Sequence, residues 1–121
     1  MAQHNDLGEK GEFLAGEMLQ KKGYRILERN WRFGKLELDI IAQNDGKLVV
    51  VEVKTRESGI FGNPALSVSK KKQKQIIKAT NAYVVENTIE EEARFDIISV
   101  IINSKNPPLL EHYESAFYPL L

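Results

Sequence analysis

Glu37-Leu38-Asp39-Ile40-Ile41-Ala42-Gln43-Asn44-Asp45-Gly46-Lys47-Leu48-Val49-Val50-Val51-Glu52-Val53-Lys54 is the stretch that decides how this chain reads. Two apolar runs flank Asn44-Asp45-Gly46, a strong tight-turn signal. The second run is apolar on both faces in its first half, which suits a central strand. With Asp45-Gly46 as a two-residue turn, Asn44 faces Lys47, Asp39 faces Glu52 and Glu37 faces Lys54. Side chains alternate along a strand, so all four charged groups share a face. Opposite Cβ atoms then lie roughly 4.5–5.5 Å apart. A three-residue loop would slip the pairing by one and separate the charges.

Two carboxylates that close repel unless one is protonated or a cation lies between them. A divalent ion held by Asp39 and Glu52 resolves the conflict, and Mg2+ typically takes one or two protein carboxylates plus water and phosphate. Such an ion polarises a phosphoryl oxygen and generates a nucleophile near neutral pH. Lys54 would orient that water or offset charge on the phosphate. A lone Glu-x-Lys is usually a solvated strand face. Here it ends a valine-rich strand, with an acid set opposite by the turn.

Working outward, Leu7, Gly11, Leu14, Ala15, Met18 and Leu19 recur at helical spacing and predict a helix over about Asn5 to Lys22, closed by Gly23. Strands are expected at Tyr24 to Asn30, Leu36 to Gln43 and Lys47 to Lys54. Glu57 to Ser67 reads as a loop rich in glycine, and Gly59 to Ser67 stands next to the acid pair. A second helix is expected from about Ser69 to Glu86, on the stripe Ile76, Ile77, Thr80, Tyr83 and Val84. Strands follow at Ala93 to Ile102 and, after Asn106-Pro107-Pro108, at an edge from Leu109 to Tyr113. The order α-β-β-β-α-β-β makes one α/β domain over 1–121, a mixed sheet with a β-hairpin core flanked by helices.

Composition narrows the chemistry. The 121 residues carry 17 basic and 17 acidic side chains and no net charge, so bulk charge gives no argument for nucleic-acid binding. Without cysteine there are no disulfides, thiolate metal sites or cysteine nucleophiles. The two histidines, His4 and His112, are far apart, which disfavours a histidine-rich zinc site. Carboxylate ligands favour Mg2+ or Mn2+. No apolar run approaches the roughly 20 residues of a membrane span, and the first ten residues lack a secretory apolar stretch. The expected location is the cytoplasm.

These residues resemble the PD-(D/E)XK nuclease superfamily, with its restriction-endonuclease-like fold. More closely the chain resembles the YraN-type family of small bacterial proteins, itself similar to archaeal Holliday junction resolvases. The matching stretches are Gly8-Glu9-Lys10-Gly11-Glu12 with Ala15, Gly23-Tyr24, Asn30-Trp31-Arg32, Glu37 to Ala42, Val51 to Arg56 and Arg94-Phe95-Asp96. The resemblance implies that Asp39 and Glu52 are metal ligands, Lys54 the catalytic lysine and Glu12 an acid added by the first helix. Glu37 would support Lys54 or merely pair with it across the strands. In the family, glycine often directly precedes that acid; here Lys35 and Leu36 intervene after Gly34, so the turn before the strand is expected to differ.

Arg29, Arg32, Lys35 and Arg56 flank the hairpin, and Lys70, Lys71, Lys72, Lys74 and Lys78 cluster in the second helix. They are candidate phosphate contacts with salt-dependent affinity. A solvated lysine face explains the helical cluster equally well. Trp31 and Phe33 could stack on bases, although packing is the commoner fate of such aromatics. The sequence expectation is a divalent-metal-dependent endonuclease acting on structured or branched DNA or RNA. The alternatives are a non-catalytic nucleic-acid-binding or adaptor protein on the same fold, and a salt-bridged structural protein. Junction cutting would favour a homodimer.

Overall fold

A computed structural model describes residues 2–57 and 68–119, with side chains from residue 6 onward. The expected loop at Glu57 to Ser67, including Gly59 to Ser67, lies almost wholly outside the described residues. Helix α1 (Ala2–Lys21) is followed by strands β1 (Arg25–Phe33), β2 (Leu36–Asn44) and β3 (Lys47–Arg56). Helix α2 (Lys70–Glu86) leads to β4 (Ala93–Ile101) and β5 (Leu109–Phe117). The sheet order is β1-β2-β3-β4-β5. Only β3 and β4 run parallel, joined by the crossover through α2; the other neighbours are antiparallel. This is the predicted order and the restriction-endonuclease-like arrangement.

The valine run explains why β3 is central. Leu48 and Val50 enter the cluster covered by α2, with Leu38, Ile41, Ile76 and Ile97. Val49 and Val51 enter the cluster covered by α1, with Ala15, Leu19, Ile40 and Ile98. Each such aliphatic side chain contributes roughly 1.5–3 kcal/mol by leaving water.

Two glycines let α1 lie close to the sheet. A Cβ at Gly11 would overlap the Thr55 side chain on β3, and one at Gly16 would overlap the Arg29 guanidinium. The α1 end is a Schellman motif: Tyr24 N–H donates to Leu19 O and Gly23 N–H to Gln20 O, with Gly23 at φ 92. At the start of α2, Ser69 Oγ accepts from Lys72 N–H at 3.1 Å.

The structure lengthens several elements. Helix α1 begins at Ala2, three residues before the expected Asn5. Strand β1 runs on to Phe33, because Gly34-Lys35 makes a two-residue turn with Gly34 at φ 61. That turn accounts for the spacing between Gly34 and Glu37. Strand β5 reaches Phe117, four residues past Tyr113, across an irregularity in its pairing with β4.

Candidate functional site

Asp45 and Gly46 both have positive φ, 53 and 75, as a type I′ turn demands. The β2–β3 register runs from Asn44–Lys47 to Ile40–Val51, as the two-residue turn requires. There the ladder stops. Where Asp39 and Glu52 would pair next, the Asp39 carboxylate accepts the Val53 backbone N–H at 2.9 Å. The two acid side chains are hydrogen-bonded to each other.

The predicted partnership of Glu37 with Lys54 is not formed. Glu37 pairs instead with Arg32, its neighbour on β1, at 3.6 Å. Two features explain the difference: the ladder ends before that position, and the strand alternation breaks nearby. Asn30 adopts φ 50, and Leu38 and Ile41, three residues apart, both face α2. A single face from Glu37 to Lys54 therefore does not exist.

The electrostatics of the acid pair follow from burial. Glu52 is 8 % exposed. Desolvation and then the Asp39 charge push its carboxyl up to about 8, against the lowering pull of Lys72 and Lys54. Desolvation also raises Asp39, opposed by the Val53 N–H and the bond from Glu52. Both carboxyls are thus pushed toward the protonated form, Asp39 against the hold of a backbone N–H. The Lys72 ammonium lies 4.0 Å from Glu52.

Glu12 leans toward this region from α1, half-buried, and Asn30 Nδ2 donates to its Oε1 at 2.7 Å. Its carboxyl is raised to about 7, by desolvation first and then by Asp39, Glu37 and Glu9, with Arg29 opposing. Glu12 therefore senses the pair. Among the described residues, however, no three acidic or histidine side chains converge as a ready metal cage. Beside the pair, Lys10, Glu12, Lys54, Thr55 and Glu57 help line a cleft of about 840 Å³; Asp39 and Glu52 are not part of its wall.

Of the candidate phosphate contacts, Arg32, Lys35, Lys70, Lys71 and Lys74 are exposed, Lys72 turns toward Glu52, and Arg56 closes β3. Trp31 packs edge-on against Tyr83 at 5.1 Å, so it belongs to the core. Phe33 remains 43 % exposed at the hairpin tip.

A second buried acid was not singled out from the sequence. Asp96 on β4 is wholly buried. It accepts from Arg94 Nε at 2.9 Å and Nη2 at 2.7 Å, from Ser115 N–H at 3.0 Å, and bonds His112 Nε2 at 2.8 Å. The Lys22 ammonium donates to His112 Nδ1 at 2.6 Å, so Nε2 carries the ring proton toward Asp96. Arg94 also donates to the Tyr24 hydroxyl at 2.7 Å. Burial alone would raise Asp96; the bonds from His112, Arg94 and Ser115 outweigh it and hold the carboxyl below its usual range. Gly23-Tyr24 and Arg94-Phe95-Asp96 were the sequence signal, but nothing local joins them.

The class that fold and hairpin define is thus a small restriction-endonuclease-like α/β domain with an acid pair at the point where its central hairpin opens. Its lineage is narrower. The chain belongs to the uncharacterised protein family UPF0102, the YraN-type family, whose model matches residues 11–100. It is 54 % identical to a UPF0102 protein of Flavobacterium psychrophilum over 98 % of both chains. It is 47 % identical to one of Phocaeicola vulgatus over 98 % of each, and 45 % identical to one of Bacteroides thetaiotaomicron over 100 % of this chain and 99 % of that one. No described helix is long and apolar enough to cross a membrane.

Proposed function

We propose that this protein is a divalent-metal-dependent endonuclease that hydrolyses phosphodiester bonds in structured or branched nucleic acid. One observation carries the reading: the buried Glu52 and the half-buried Asp39 meet at the mouth of the hairpin, with Lys54 two residues beyond. Placing such a pair together out of water costs stability near neutral pH, and groups perturbed in this way cluster at functional sites. The donor set fits a hard cation, because two adjacent carboxyls offer oxygen ligands and a positive charge between them relieves their repulsion.

Asp39 and Glu52 would hold Mg2+ or Mn2+, which would supply Lewis acidity toward the phosphate and an activated water. The chain's own contributions are separate. The Val53 N–H fixes Asp39 before any ligand arrives. Glu52 would release its proton to solvent on holding the cation. Lys54, on the wall of the cleft, faces the space a phosphate would occupy and offsets charge there. Glu12, held by Asn30, stands ready as a proton acceptor near neutral pH.

The second reading, a non-catalytic nucleic-acid-binding or adaptor protein, draws on the absence of a three-acid cage among the described residues. The test is cleavage of duplex, single-stranded, flap and four-way-junction DNA, and of RNA, with each metal. Wild-type should cut at least one substrate. Asp39→Ala and Lys54→Ala should each lose about 100-fold or more while remaining folded. Cleavage that survives both changes would remove the site assignment, and binding without cleavage across the panel would favour the adaptor.

A further inference from the structure

Helix α2 carries five lysines and a single acid, Glu86, at its far end. That polarity opposes the helix dipole, which favours acids at the start and bases at the end. Local folding preference therefore does not account for the lysines. Lys72 turns toward Glu52, whereas Lys70, Lys74 and Lys78 recur every four residues on another stripe. All three are exposed, and none has an ion-pair partner among the described residues. Successive members sit about 6 Å apart along the axis, close to the spacing of phosphates in an extended strand.

The same stripe borders a groove of about 290 Å³ floored by Ile77, with no carboxylate in its lining. Its opposite wall is Tyr118, which follows β5 and is 69 % exposed. Asn81 adds an amide able to bond base edges, and Gln73, whose Nε2 donates to Val68 O at 3.0 Å, adds its carbonyl oxygen. An exposed aromatic ring facing a cationic row is the combination that binds single-stranded nucleic acid, with bases stacked and phosphates tracked.

We infer that the groove between α2 and Tyr118 is a subsite for a single strand of DNA or RNA, Tyr118 stacking on a base and Lys70, Lys74 and Lys78 holding successive phosphates. It rests on the reading of the protein as acting on nucleic acid, and it names a substrate feature: an unpaired strand led away from the acid pair along α2. Charge complementarity selects the occupant. A second copy of this chain, with no net charge, offers no comparable reason to leave three lysines unpaired.

The test is fluorescence anisotropy of a short labelled oligothymidine and its uridine counterpart, in chelator, so that cutting plays no part. Wild-type should bind both. Tyr118→Ala should weaken binding by about fivefold or more, the lower range for one stacked base, and Tyr118→Phe should bind like wild-type. Lys74→Ala with Lys78→Ala should lower the slope of log affinity against log salt by about 1.4, from two phosphates released. Equal binding by Tyr118→Ala, an unchanged salt slope, or a shift of Tyr118→Ala from dimer to monomer without loss of binding would each overturn the subsite. The cleavage panel above would remain untouched by that result.

Discussion

Two aspartates in this sheet begin from the same backbone situation and end in opposite electrostatic states. Asp39 sits where the β2–β3 ladder stops and accepts the Val53 N–H; Asp96 sits where the β4–β5 register shifts and accepts the Ser115 N–H. Each side chain replaces a missing strand contact. Asp96 then gathers a guanidinium and an imidazole, and its carboxyl falls below the ordinary range. Asp39 meets a second acid, and burial drives both upward. A carboxylate with a full set of donors is a clamp; one short of positive charge is held toward its protonated form.

The comparison breaks most easily at the clamp. Asp96→Ala leaves Arg94, only 16 % exposed, without its bidentate partner. Removing one member of a buried pair typically costs about 3–5 kcal/mol. Chemical denaturation should show that loss, whereas Glu52→Gln in chelator at neutral pH should leave the protein at least as stable as wild-type. A loss below about 1 kcal/mol for Asp96→Ala would mean that the network does not fasten β4 to β5 and the end of α1.

The pH dependence sharpens the contrast, because the two sites have opposite signs. Glu52 rises from 4.5 to about 8, so the native state retains a proton that the unfolded chain releases. Stability from this group is complete below about pH 4.5 and is lost as pH climbs through about 8, by up to about 1.4 kcal/mol per pH unit. Glu12, raised to about 7, adds a loss of the same sign that ends earlier. The lowered carboxyl of Asp96 works the other way: its contribution is present above the ordinary aspartate range and vanishes in acid. In chelator, the melting temperature should therefore fall from pH 5 to pH 9. Glu52→Gln should flatten the upper part of that decline. Added Mn2+ should stabilise wild-type increasingly as pH rises, since cation and proton compete for one place. A wild-type decline unaltered in Glu52→Gln would reassign the titrating group.

The contrast also shows what a sequence can disclose. The acid pair lies on one hairpin, and its Asn-Asp-Gly turn specifies the register locally, so Asp39 and Glu52 could be brought together by counting. Glu37 was set opposite Lys54 by carrying that count past the point where the ladder ends. The positive φ of Asn30 and the Val53 N–H bond arise from three strands together and leave no mark on a two-strand pattern. The clamp joins Lys22, Tyr24, Arg94, Asp96 and His112 across three elements. Each reads alone as an ordinary polar residue, and only the sheet order makes them neighbours. Strand β5 passes the expected end at Tyr113 although Ser115 takes φ 51, because the Asp96 carboxylate bonds Ser115 N–H and the strand continues.

The smallest expected effect concerns Lys72, whose ammonium stands beside the acid pair. It resembles Arg94 in role but not in strength. Its ammonium stands 4.0 Å from Glu52 with 38 % of its side chain exposed, against 2.7 Å and 16 % for Arg94 and Asp96. Solvent screens such a pair, which holds it to roughly 0–1 kcal/mol. Lys72 lowers the Glu52 carboxyl, so Lys72→Gln should move its titration upward, by less than about one pH unit. The fold should be spared, because the residue-72 backbone N–H still donates to the capping Ser69 Oγ. Lys71→Gln, one residue away and exposed, should leave the midpoint where it is. Carboxyl-resolved NMR titration in chelator separates the two variants. A downward shift in Lys72→Gln, or one matched by Lys71→Gln, would show that this lysine belongs to the helix surface and takes no part in poising the acid pair.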